Sequence, residues 1–195
     1  MISPMEDEIS NIQRDFYSSQ PKKMFLTKTQ KEECTEYIVQ NLSLDQLMQN
    51  TVYLIKNTNY VFIDYPLFKQ WMTSTYCEKF IQYVFQTIMN AIMIHGTYEI
   101  HINLLSFSVS AVEKYYVIIH TFYDMCCQPE NSMIVKQLSG IRIYYTPIMI
   151  HVIKTMLSKL NVESIRGKTL FYTKEESPGL LSKLIGKGAE ILLHY

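Results

Sequence analysis

Four short strand-like stretches, two of them with two-residue alternation, stand between longer stretches of helical periodicity, and that order leaves few folds open to the chain. "YVFID" covers 60–64 and ends before Pro66. "YEIHINLL", 98–105, alternates Ile100, Ile102 and Leu104 against Glu99, His101 and Asn103. "SGIRIYY", 139–145, alternates Ile141, Ile143 and Tyr145, and "KTLFY", 168–172, is a last short run. Strands separated by helices of about 15 residues imply βαβ units with right-handed crossovers. The expected fold is α/β, a mainly parallel, mixed sheet with flanking helices.

Helix starts are marked by capping boxes, in which a Ser or Thr is followed three residues later by Glu or Gln. Thr29 with Glu32 opens a helix to about Gln40, and Ser43 with Gln46 opens a second that reaches Leu54 or Ile55. Thr75 with Glu78 opens a longer one to about Ile94, stopped at Gly96, and Ser110 with Glu113 opens a fourth to about Met125. Residues 1–26 are polar and carry Pro4 and Pro21, so they are expected as a flexible or loosely docked arm. The helices of 27–58 follow, and 59–195 forms the α/β domain.

The segment "IRIYYTPIMIHVIKTMLSKL", 141–160, passes from strand to helix at a hinge, Thr146-Pro147. Thr146 suits an N-cap and Pro147 suits the first helical position, where a missing N–H does no harm. The polar stripe of that helix is His151, Lys154, Thr155 and Ser158. More than half of its circumference is therefore apolar. Such a helix either packs on a sheet in the ordinary way or covers a cavity holding an apolar ligand. Ser177-Pro178 repeats the device before "GLLSKLI".

The 195 residues are 48% hydrophobic, enough for one domain with a sizeable core, and charged residues are only 18%. That is below the usual value of about 25% and leaves a large core, or an apolar surface or cavity, to be accounted for. Eighteen basic and 18 acidic residues balance to zero, which argues against a nucleic-acid partner. Cys34, Cys77, Cys126 and Cys127 form no CxxC, and no histidine stands at ligand spacing from them, so no metal is expected. The acidic, polar stretch "MEDEISNIQRD", 5–15, does not read as a signal peptide, so none is expected, and no apolar run reaches about 18 residues. A cytoplasmic protein with ordinary thiols is expected. Only Ala91, Ala111 and Ala189 represent alanine, a bias that fits an AT-rich genome such as a virus's or a protist's.

Catalytic signatures are missing. There is no GxSxG, GxxxxGK[ST] or GxGxxG, and the six glycines are scattered. His101 lies mid-strand and reads as a hydrogen-bonded structural residue, and His120, near Tyr116 and Tyr123, as a packing one. Asp64 ends a strand, where α/β enzymes place carboxylates, but reads as a turn or cap residue before Pro66. No catalytic residue and no cofactor are expected. Arg166, Lys168, Lys174, Lys183 and Lys187 gather in the C-terminal third, either as solvated surface or as an anion site beside a greasy cavity.

From residue 98 onward the order and spacing resemble the CRAL-TRIO (Sec14-like) lipid-binding domain. "INLLSFSVSAVEKYY" is similar to that family's strand-to-helix stretch, with Asn103 in the usual Asp place and Ser106 in the usual Gly place. "CCQPENS" echoes its proline loop. "IRIYYTPIMIHVIKTMLSKL" resembles its gate segment, and "NVESIRGKTLFY" supplies Lys168 where the family carries a lysine. "SPGLLSKLI" looks like its final short helix. The likeness covers about 98–185, and 60–96 more loosely. The N-terminal helical part is short, and the terminal "Y-G-G" is missing. The resemblance implies a non-enzymatic lipid-binding or lipid-transfer module with peripheral membrane contact. Its ligand would be a phospholipid, a phosphoinositide or another hydrophobic molecule. It would line the cavity with Ile100, Ile102, Ile143, Tyr145, Ile150, Ile153 and Leu157, and set Lys168 against the head group. Which alternate strand face is inward stays open. The other reading is a non-catalytic adaptor or virion scaffold that uses the same fold for contacts with a protein partner.

Overall fold

The structure, a computed structural model, describes residues 4–20, 28–146 and 167–186. The N-terminal part contains α1 (Pro4–Ser18), α2 (Lys28–Asn41) and α3 (Leu44–Thr51), followed by β1 (Val52–Leu54) and β2 (Tyr60–Asp64). Then come α4 (Tyr65–Trp71), α5 (Cys77–His95), β3 (Tyr98–Asn103), α6 (Val109–Cys127), α7 (Ser132–Gln137), β4 (Leu138–Tyr144), β5 (Thr169–Phe171) and α8 (Ser177–Gly186). The five strands form one sheet in sequential order; β1 pairs antiparallel with β2, and all other pairs are parallel. The expected mixed, mainly parallel α/β sheet is what the chain forms.

Several local expectations change. The arm expected at 1–26 is a helix from Pro4 to Ser18, and its Ile9 is 0% exposed in the main core cluster. Its apolar residues Met5, Ile9, Ile12 and Phe16 recur every three or four positions, which docks the helix despite its polar composition. The second helix stops at Thr51, because Val52 and Tyr53 leave for a strand that pairs with Ile63 and Phe62. Asn57 at φ 60° closes that hairpin, and Ile55 donates its N–H to Tyr60 O at 2.9 Å. The capping box at Ser43 and Gln46 forms as expected. Those at Thr75 and Ser110 do not: α5 starts at Cys77 after a 3₁₀ turn, and α6 is capped by Ser108, whose hydroxyl accepts from Ala111 N. Gly96 ends α5 at φ 76°, in the left-handed region that a residue without Cβ enters freely.

Strand register divides the side chains between two faces. Val61, Ile100 and Ile141 follow one another across β2, β3 and β4, as do Ile63, Ile102 and Ile143, so these share one face. Helix α5 packs on this side: Phe80, Val84, Ile88, Ala91 and Ile92 join Val61, Ile100 and Tyr98 in the main core. The other face carries Tyr60, Phe62, His101, Arg142 and Tyr144. A smaller cluster forms there, where Leu181 of α8 meets Ile55, Phe62 and Tyr144.

Candidate functional site

The residues expected to line a cavity are split by the register. Ile100, Ile102 and Ile143 share the face on which α5 packs; Ile100 and Ile143 are buried, while Ile102 is half-buried. Tyr145 belongs instead to the opposite face, beside the cluster of Phe62, Tyr144 and Leu181. Its φ of 54° turns it off the alternation of β4. Ile150, Ile153 and Leu157, with the rest of the segment from Pro147 to residue 166, lie outside the described residues.

The exit from β4 is firmly tied. Tyr145 N–H donates to Ser177 Oγ at 2.7 Å, and Ser177 is fully buried. Thr146 N–H donates to Tyr172 O at 2.9 Å. A tyrosine in the left-handed region is strained by about 1–3 kcal/mol, and these bonds to Tyr172, just past β5, and to Ser177 of α8 hold it there. Ser106, in the place of the family's glycine, also has a positive φ, 63°. Asn103, in the place of its aspartate, donates to Asp64 Oδ1 at 3.0 Å and accepts from Leu105 N at 3.1 Å.

Asp64 is at the N-cap position of α4 yet makes no side-chain cap bond. Burial pushes its carboxyl up to about 7, the Glu6 charge adds to the rise, and the Asn103 hydrogen bond opposes it. It pins the C-terminal ends of β2 and β3 together instead of capping the helix.

Lys168 stands at the start of β5 and donates its ammonium proton to Leu138 O at 2.6 Å. Its own carbonyl accepts from Ile141 N. The lysine therefore bridges the N-terminal ends of β4 and β5.

Next to it lies a polar cluster that sequence reading did not assemble. Arg142 grips Glu99 with two bonds, Nε to Oε1 at 3.0 Å and a terminal nitrogen to Oε2 at 3.3 Å. His101, 4% exposed, bonds through Nδ1 to Tyr144 Oη at 2.8 Å. Its Nε2 faces Glu99 Oε1 at 3.1 Å, but off the direction a hydrogen bond requires, so the contact is close without being a hydrogen bond. Burial, then the Arg142 charge, lowers the imidazole to about 4, so His101 is neutral at pH 7. Tyr60 packs on His101 at 4.6 Å, and Tyr144 stacks on Tyr172 at 5.2 Å. Alternation in "YEIHIN" and "GIRIY" placed these residues on one side of each strand; only register could pair them.

Gly140 makes room for the cluster. A Cβ there would sit 2.8 Å from Glu99 Oε2, whose carboxylate Arg142 holds. Gly140→Ala is expected to destabilise the protein by about 1–3 kcal/mol in urea denaturation. In a Glu99→Ala background the same substitution should have little further effect. Equal losses in both backgrounds would show that the side chain of Glu99 is not the obstacle.

Among the described residues no three His, Cys, Asp or Glu side chains gather as a metal site, and no described helix is long and apolar enough to cross a membrane. No protein-family model matches the chain, and no curated protein matches it in sequence. Among solved structures the chain is similar to the crystal structure of Sfh5, a Sec14-family protein, with a TM-score of 0.54 and 13% identity. The match covers 87% of this chain and 65% of that one, so the chain spans less than two thirds of Sfh5's length. At this identity the likeness shows the fold, a distant Sec14-like arrangement of sheet and helices.

Proposed function

We propose that the protein is a lipid-binding module, holding a phospholipid or another hydrophobic molecule beside the half-buried Ile102 and Ile141 of the sheet. The observation that carries this reading is the Sec14-like path of the chain, together with an apolar sheet face on which Ile102 and Ile141 are only half-buried. Removing acyl chains from water favours such a complex by about 0.8 kcal/mol per CH₂. In this reading the segment after Pro147 covers the ligand, and Lys168 exchanges its bond to Leu138 O for the anionic head group. Peripheral contact with a membrane would let the ligand exchange.

Native mass spectrometry of the purified chain, followed by lipid extraction, tests the proposal. A lipid-sized mass increment that disappears on extraction is the expected result. A chain free of lipid even after incubation with phospholipid vesicles would overturn it. Lys168→Ala is expected to slow phosphoinositide transfer between liposomes about tenfold, while transfer of a neutral lipid persists. Equal transfer by the variant would remove the head-group role.

A second reading, a non-catalytic adaptor, has one observation in its favour. Met93 and Ile94 near the end of α5, and Val117 on α6, are 71%, 65% and 67% exposed. Exposed apolar side chains of this size suit a protein partner when they form one patch.

A further inference from the structure

On the side of the molecule built from α1, α2, α4 and the start of α6 lies a groove of about 500 Å³. That volume is in the range of small-molecule sites. Lys31, Lys69 and Lys114 reach it from three different helices, and no carboxylate is among its described lining residues. Two of these cations are preplaced. Lys69 Nζ donates to Ser106 Oγ at 2.5 Å and stands 5.8 Å from the centre of the Tyr65 ring. Lys114 Nζ lies 4.9 Å from the centre of the Tyr115 ring, and burial lowers its pKa. Each ammonium is thus held over an aromatic face that also lines the groove. Ser108 and Ser110 add hydroxyls at the start of α6, and Ile38 and Ala111 add apolar surface.

We propose that this groove binds an organic phosphate: a phosphoryl group among the three lysines and a small apolar or aromatic body against Tyr65 and Tyr115. Lysine ammoniums act on phosphate as compact point charges, whereas planar pairing with a carboxylate is the speciality of arginine, and no arginine lines the groove. A phosphate monoester brings a charge of about −1.5 to −2 and three acceptor oxygens, which suits three separated cations and two hydroxyls. Glu32 competes, since its charge acts on Lys114 from outside the lining. None of the groove's described lining residues is a strand residue of the proposed lipid site, and the inference does not depend on that site.

The test uses the full chain and two probes. In calorimetric titration, 2-naphthyl phosphate is expected to bind at least tenfold tighter than 2-naphthol. Lys69→Gln and Lys114→Gln, both at exposed positions, should each weaken the phosphate about tenfold, and Lys183→Gln on α8 should not. Glu32→Gln should tighten it severalfold. In the second arm, phosphatidylcholine vesicles with and without phosphatidic acid ask whether the phosphate can be part of a lipid. Binding confined to the soluble probe assigns a free organic phosphate. Binding to phosphatidic acid vesicles that Lys69→Gln and Lys114→Gln abolish assigns a lipid head group. Failure of both arms, equal affinity for 2-naphthol, or indifference to both lysine substitutions overturns the proposal.

Discussion

Trp71→Ala is expected to remove about 3–5 kcal/mol of folding stability, a large part of what a domain of this size possesses. Trp71 is fully buried at the end of α4, with its ring against Phe68 and Phe80. Its indole Nε1 donates to Thr51 Oγ1 at 2.9 Å, and the same hydroxyl donates to Leu47 O at 2.7 Å. One side chain thus ties α4 to the last turn of α3, where the chain turns into β1. Alanine would leave a cavity and also break the tie. Trp71→Phe keeps most of the volume and removes the donor, so a loss of about 1–2 kcal/mol is expected. Urea denaturation separates the two contributions. A Trp71→Ala protein within 1 kcal/mol of the parent would mean that the helical layer is not part of the cooperative core.

The second large effect concerns pH and is hidden in the parent protein. His101 falls from an ordinary 6.5 to about 4 in the folded state through burial and, less, through Arg142. The unfolded chain then binds the extra proton between those values, so this group makes stability fall as pH drops. Asp64 rises from 3.8 to about 7 through burial and, less, through Glu6. The folded chain now binds the extra proton, so this group makes stability fall as pH rises through the same range. From about pH 4 to 6.5 the two slopes oppose, and the parent is expected to change by only about 1 kcal/mol.

Single substitutions should uncover each slope. In Asp64→Asn, which can still accept from Asn103, stability should climb by about 3 kcal/mol from pH 4 to 6.5. In His101→Gln it should fall by about 2 kcal/mol from pH 4 to 7; the linkage is reduced because the Asp64 carboxyl is partly in solvent. Denaturation series at closely spaced pH values decide the matter. An Asp64→Asn profile as flat as that of the parent would show that neither group is held in its neutral form.

Much of this architecture was legible beforehand because it is written in local periodicity. Alternation in 98–103 and 139–144 reports one buried and one mixed face, and strands form there as they do in the short apolar run 60–64. Gly96 marked a helix end correctly, because a left-handed residue acts on its own backbone, whereas Ser177 lies inside its helix and donates to Thr173 O instead of capping it. Capping boxes were weaker guides. A serine caps only if the chain before it turns, which is why Ser108 won over Ser110. The docking of α1 was missed because its burial comes from a few apolar positions in a polar run, and their value depends on a partner surface that lies elsewhere in the chain.

The sites divide in the same way. The chain by itself determined which residues share a side of each strand, so Ile100 and Ile102 stand against Glu99 and His101 whatever the register. Only the tertiary structure decided which strand lies beside which, and hence that Arg142 meets Glu99, that His101 meets Tyr144, and that Lys168 reaches Leu138. The groove of Lys31, Lys69 and Lys114 is the extreme case, since its cations are far apart in sequence and converge only when three helices pack. Periodicity is a property of neighbours along the backbone. Charge pairing, pKa shifts and cavities depend on distance through space, and that distance exists only after folding.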